Sequence, residues 1–204
     1  FNFDNDAASR YDRIVVPLAS IINRKYGMHS KVIAVHANAL KQAQFRLKTA
    51  AGVSASYYSH CDRFPIHGTG QGSGNSPCIW LFISSTLFDT HRSLAHGARF
   101  ISPDGSHSAT FSMVGFVDDS TGLCNDFSPQ HEATIQELLQ WMQHDAQLWS
   151  NLLYCSGGKL ELQKCSFHVL HFDFRPNGQP VPSLAMYDNK IHIRDLATDE
   201  QIPI

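Results

Sequence analysis

The sequence has no surplus of positive charge. Lys and Arg total 16 against 18 Asp and Glu, a formal charge of -2, and only 17% of residues are charged. A protein that grips a nucleic-acid backbone unaided carries a basic surplus, so any nucleic-acid contact has to be local or draw on parts outside this chain. The five cysteines, at 61, 78, 124, 155 and 165, form no CxxC pair and no zinc-like spacing, and their odd number speaks against a disulfide framework. A reduced, intracellular setting, cytoplasm or nucleus, is the expectation. No apolar run approaches the roughly 18–20 residues of a membrane span, and no export signal is recognisable. The twelve histidines contain no HExxH or comparable pattern. His168 and His171, three apart in a strand-like stretch, would face opposite sides, so no zinc site is expected. An initiator Met is also missing, and the chain opens at Phe1 inside a strand-like pattern. The expectation is a piece of a larger reading frame.

What is present fits one domain, with or without a small appendage, since 204 residues are enough to bury a core. Phe1 to Phe3 alternate before an acidic cluster, Asp4-Asn5-Asp6, which predicts a strand running into a turn. Tyr11, Ile14, Val15, Leu18, Ile21 and Ile22 recur at helical spacing, with Pro17 predicting a kink or a helix that begins there and Gly27 a stop. A second helix is predicted over 30–51, where Val35, Ala39, Ala43, Leu47 and Ala50 share a face. One short strand is expected within 54–66. The glycine-dense stretch from His67 to Pro77 leads into an apolar run from Cys78, and Asn75-Ser76-Pro77 offers a cap and a first-turn proline.

Ser102-Pro103-Asp104-Gly105 reads as a turn. The strand-like stretches 108–117 and 120–124 flank Asp118-Asp119, which predicts a tight hairpin with both carboxylates near its tip. Residues 129–153 carry the strongest helical periodicity, ended by Gly157-Gly158. Strand-like segments follow over 159–169, Asn177-Gly178 is the best hairpin turn, and Ile191, Ile193 and Leu196 alternate as in a further strand pair. This order predicts an α+β fold, an antiparallel sheet with helices packed on one face.

Asp6, at the end of a first strand, and Asp118, at a hairpin tip, are the settings from which two carboxylates converge on a pair of divalent ions. Hard cations such as Mg²⁺ favour such oxygen ligands, and two ions about 3.5–4 Å apart clamp both the attacking and the leaving oxygen of an in-line displacement. Acidic residues also collect in ordinary turns, and Asp4 and Asp12 compete with Asp6 for the role.

Four strings occur in register. Asp6-Ala7-Ala8-Ser9-Arg10-Tyr11 resembles the first palm motif of reverse transcriptases, a metal-binding Asp with an aromatic five positions on. His67 to Pro77, with Gln71 and Ser76-Pro77, is similar to the second motif. Phe116-Val117-Asp118-Asp119 resembles the aromatic-x-Asp-Asp signature, with Val117 where some relatives carry a small residue. Gly157-Gly158-Lys159-Leu160 followed by Lys164-Cys165 resembles a fourth motif of retrotransposon polymerases.

The resemblance covers about residues 1–175 and implies a polymerase palm-like sheet. Residues 176–204 would then be a C-terminal strand pair or the start of a connection to the thumb. It implies an RNA-directed DNA polymerase within a larger polyprotein, extending a primer on RNA or DNA template with dNTPs, without a membrane partner, and using two Mg²⁺ ions or Mn²⁺ as substitute. Asp6 and Asp118 would bind both ions, with Asp119 a partial ligand. Tyr11 would exclude the ribose 2′ hydroxyl, Gln71, Gly72, Ser76 and Pro77 would line the approach of nucleotide and template, and Lys164 would approach the triphosphate. The fingers that clamp the triphosphate would lie outside this chain. Two other readings stay open: a decayed polymerase-like binding or structural domain, and a two-metal nuclease or phosphatase.

Overall fold

The computed structural model describes residues 2–8, 10–63, 65, 67–70, 73–116, 119–126, 133–183 and 190–204. The chain is mixed α+β with small antiparallel sheets. In order, the main elements are β1 (Asn2–Asn5), α1 (Arg10–Arg13), α2 (Val16–Lys25), α3 (Ser30–Gln42), β2 (Gln44–Phe45), β3 (Lys48–Thr49), β4 (Gly52–Val53), β5 (Tyr58–Ser59) and α4 (Ser76–Leu94). There follow β6 (Ala98–Ile101), β7 (Ser108–Phe111), β8 (Met113–Phe116), β9 (Asp119–Leu123), α5 (Ile135–Cys155), β10 (Ser166–His168), β11 (Phe172–Phe174), β12 (Pro180–Pro182), β13 (His192–Arg194) and β14 (Gln201–Pro203). They gather into two compact units, one of residues 1–8 and 87–204, the other of residues 9–86.

The first unit is built on a four-stranded antiparallel sheet in the order β10-β1-β9-β8. Alternation along β1 turns Phe3, Asn5 and Ala7 inward and leaves Asn2, Asp4 and Asp6 partly open. α5 supplies the other half of the core through Leu139, Met142, Ala146, Trp149 and Leu153, a buried stripe at helical spacing. Thr134 fixes where α5 begins. Its hydroxyl accepts from the Glu137 N–H while the Glu137 carboxylate accepts from the Thr134 N–H, a reciprocal cap that satisfies two donors at the helix start. The helix therefore begins about a turn and a half later than the expected start at Pro129, with residues 127–132 outside the described set. The helix ends at Cys155, close to the predicted glycine stop, and Gly157 takes φ 93°.

Phe88, near the end of α4, stacks on Trp149 with ring centroids 5.3 Å apart. Gly115 of β8 makes room for it, since a Cβ there would stand 2.6 Å from the Phe88 ring. The turn at 102–105 joins β6 and β7, and Asn177-Gly178 lies between β11 and β12, both as the sequence predicts. β13 and β14 form the expected late strand pair, with Ile191 and Ile193 buried. Gln143 and Gln147 of α5 accept from the backbone N–H groups of His192 and Arg194 and tie the pair to that helix.

In the second unit the helix predicted around Pro17 is split. α1 is a single turn, and α2 begins at Val16 with Pro17 in its first turn, where a missing N–H costs nothing. Ile14, Ala19 and Ile22 are buried, whereas Ile21, expected on the same face, is exposed. The helix predicted over 30–51 stops at Gln42. Ala43 turns extended, Phe45 pairs with Tyr58 and stacks on its ring at 5.3 Å, and Leu47 lies beside a tight hairpin of β3 with β4. A cross-strand aromatic pair here outweighs the helix propensity of the segment. Ile33 is the buried residue of α3, and Val35 is exposed.

Candidate active site

Asn5 anchors the end of β1. Its amide donates to the Ser120 carbonyl at 2.8 Å, and its side-chain oxygen accepts from the Ser120 hydroxyl at 2.6 Å and from the Trp149 ring N–H at 2.9 Å. All three residues are buried, so a polar triad fixes the register of β1 against β9 and α5. That register pairs Asn2 with Leu123 and Asn5 with Ser120. The next position along each chain is Asp6 on one side and Asp119 on the other. Asp6 and Asp119 therefore both lie at the end of the sheet where this ladder stops. Asp119 also pairs across to Phe116 of β8.

Asp6 is further held by its main chain. Its carbonyl accepts from Glu161 N–H at 2.9 Å, the Ala8 N–H donates to the Lys159 carbonyl at 2.8 Å, and Ala7 bridges Leu160. The segment after Gly157-Gly158 thus lies along the residues that follow β1. One oxygen of Asp6 accepts from Lys164 Nζ at 3.0 Å, and this bond holds the Lys164 ammonium pKa above its ordinary value. Cys165 beside it is buried, and burial pushes its thiol up to about 11, which leaves it unreactive.

Asp4 is differently occupied. It accepts from the Thr121 hydroxyl at 2.8 Å and lies 3.6 Å from His168 Nε2. Asp6, with its second carboxylate oxygen uncommitted by that contact with Lys164, is the better placed of the two for a cation. Asp118 and its neighbour Val117 lie outside the described residues, as do Gln71 and Gly72. Asp6, Asp119 and Lys164 belong to the first unit, while Tyr11, Ser76 and Pro77 belong to the second.

Within that second unit the glycine loop packs on the single turn that carries Tyr11. The Tyr11 carbonyl accepts from Thr69 N–H at 2.9 Å and the Ile14 carbonyl from Gly68 N–H at 2.8 Å. Gly68, at φ 89°, passes so close that a Cβ would stand 2.6 Å from the Asp12 Cα. The buried Ser76 hydroxyl donates to the carbonyls of Thr69 and Gly70 at 3.1 and 2.9 Å, so the residue that starts α4 also fixes the loop; Pro77 is exposed. A cleft of about 440 Å³ opens beside the loop, with Asp12, Phe45, Tyr58, Gly68 and Gly70 in its wall.

No protein-family model matches this chain, and no curated protein shows a significant match to it.

The carboxylates of Asp6, half-buried, and Asp119, exposed, are hard oxygen donors of the kind that Mg²⁺ or Mn²⁺ takes. Among the described residues, however, the group of three side chains close enough to share one ion is elsewhere: His96, His144 and Asp145. Sequence reasoning missed that cluster because His96 stands far from the adjacent pair His144-Asp145 in the chain and no spacing motif joins them. The Asn5–Ser120–Trp149 triad was equally invisible, since its members are 115 and 144 positions apart.

Proposed function

We propose that this chain is the palm of an RNA-directed DNA polymerase, extending a DNA primer on an RNA or DNA template with dNTPs. The observation that supports it is the register of β1 on β9, which carries Asp6 and Asp119 to one end of an antiparallel sheet backed by α5. A palm uses that arrangement to gather acidic ligands from a first strand and a hairpin tip. The order of the four sequence motifs supports the same reading.

In this reading Asp6 and Asp118 hold two Mg²⁺ ions and Asp119 assists. The ions, when bound, supply charge neutralisation of the triphosphate and activation of the primer 3′ hydroxyl. The protein's own part is positional. Asn5, locked to Ser120 and Trp149, sets where the Asp6 carboxylate stands. Lys164, a protonated amine, leaves Asp6 for the triphosphate when substrate enters. By the motif resemblance, Tyr11 excludes the ribose 2′ hydroxyl, and Gln71, Gly72, Ser76 and Pro77 line the approach of nucleotide and template.

The test is metal-dependent primer extension on an RNA template, by this chain and by the full reading frame that encodes it. Extension is expected, with a loss of about a thousandfold or more in Asp6→Asn and Asp118→Asn. A folded protein with no extension in either form would favour a second reading, a polymerase-like domain kept for binding or structure. The contact of Lys164 with Asp6, which places a protein cation where a metal would sit, favours that alternative.

A further inference from the structure

We propose that His96, His144 and Asp145 form a binding site for a divalent transition metal of the zinc class, independent of the polymerase reading. His144 and Asp145 are neighbours in the middle of α5, and His96 lies in the short connection between α4 and β6. His96 Nδ1 is 3.0 Å and His144 Nδ1 3.1 Å from the same Asp145 oxygen, Oδ1, and the three ligand atoms lie within 4.8 Å of one another. Zinc bound at about 2.0–2.1 Å in tetrahedral geometry spaces its ligands about 3.4 Å apart. The two nitrogen-to-oxygen spacings need to open by only a few tenths of an ångström to admit the ion, and rotation of the two partly exposed rings sets the spacing of the nitrogens.

The surroundings are those of a prepared ligand set. Asp145 is buried, and its carboxylate is oriented by the backbone N–H groups of His96, on Oδ1, and Gly97, on Oδ2, each at 3.0 Å. The His96 ring lies flat on Trp141, with centroids 5.3 Å apart and planes 10° from parallel. Such outer contacts fix ligand orientation in metal sites. The two imidazoles are 41% and 54% exposed, which gives the ion a route in and leaves a fourth position for water. In the metal-free arrangement each imidazole donates its Nδ1 proton to Asp145. On binding, each ring moves that proton to Nε2 through solvent and offers the Nδ1 lone pair, so a neutral ring stays neutral. Nitrogen and carboxylate ligands in this number suit zinc or cobalt, whereas an all-oxygen set would suit Mg²⁺.

The experiment titrates the chelator-treated full chain with Co²⁺ and then Zn²⁺. One Co²⁺ per chain is expected, with a visible ligand-field band, no thiolate-to-cobalt band in the near ultraviolet, quenching of Trp141 fluorescence and displacement by Zn²⁺. His96→Ala and His144→Ala should each weaken Zn²⁺ binding by more than about tenfold. Both rings are partly exposed, so these variants keep the wild-type circular dichroism. Zn²⁺ should also raise the melting temperature of the wild type and leave that of His96→Ala/His144→Ala unchanged. Equal Zn²⁺ affinity in the wild type and the double variant, or a thiolate band in the cobalt spectrum, would overturn the proposal. Loss of metal binding here leaves primer extension untouched, so the two proposals fail separately.

Discussion

Lys164 Nζ donates to Asp6 Oδ2 across 3.0 Å, joining the residue after β1 to the turn that precedes β10. The contact bears directly on divalent-ion binding, because a lysine on a carboxylate oxygen competes with any metal for it. Lys164→Ala is expected to tighten Mn²⁺ binding roughly two- to fivefold, the scale of an exposed ion pair. Asp6→Asn should weaken it by a larger factor. Electron paramagnetic resonance of free Mn²⁺ during titration measures both. Weaker binding in Lys164→Ala would mean that the amine helps assemble the site instead of blocking it.

The Asn5 triad predicts a stability cost. In Asn5→Leu the Trp149 N–H and the Ser120 hydroxyl both lose their acceptor inside the core, at about 1–3 kcal/mol for each buried group left unpaired. Urea unfolding should show a loss of at least about 2 kcal/mol, with unchanged m-value. A neutral result would show that water or a shifted side chain replaces the amide.

His91 predicts a pH dependence. It is fully buried, its Nε2–H donates to the Asp145 carbonyl at 2.9 Å, and Nδ1 accepts from the Ser112 hydroxyl at 2.9 Å. Burial lowers its pKa from the ordinary 6.5, outweighing the opposing pull of Asp145. Above that ordinary value folded and unfolded chains both hold a neutral ring, and its contribution to stability is fully present. As pH falls below it the unfolded chain takes up a proton that the folded one refuses, so stability is lost. The melting temperature should fall between about pH 7 and about pH 5, and less steeply in His91→Gln, whose amide can keep both hydrogen bonds without titrating.

Gly68 and Gly74 make a matched pair for substitution. Gly68→Ala forces a side chain into a positive-φ position against the backbone of Asp12, while Gly74 has open space around it and no positive φ. The first should cost about 1–3 kcal/mol and the second should be within about 0.5 kcal/mol of neutral, by thermal or urea unfolding. Comparable costs would mean that the loop adjusts around Gly68.

Legibility in the sequence tracked the range of the interactions. α5, the start of α4 at Ser76-Pro77 and the Asn177-Gly178 turn were readable because periodicity, capping and turn chemistry are local. The end of α3 was not, because Phe45 leaves the helix to meet Tyr58, a partner that no local pattern announces. At the candidate site, the strand-end setting of Asp6 was legible. That Asp6 and Asp119 lie at the same end of the sheet follows only from the pairing of Asn5 with Ser120, and the Lys164 contact crosses 158 positions.

The central position of β1 has a consequence in time. Its partners β9 and β10 both come much later in the chain, Asn5 meeting Ser120 115 positions on and Phe3 meeting Phe167 later still. At roughly 5–20 residues per second of synthesis, β1 waits on the order of ten seconds or more on the ribosome before both its edges can be covered. Until then its unpaired backbone edges are open to other chains. A chaperone that shields an early, short apolar strand would act in that interval, and slowing translation between α4 and α5 would lengthen it.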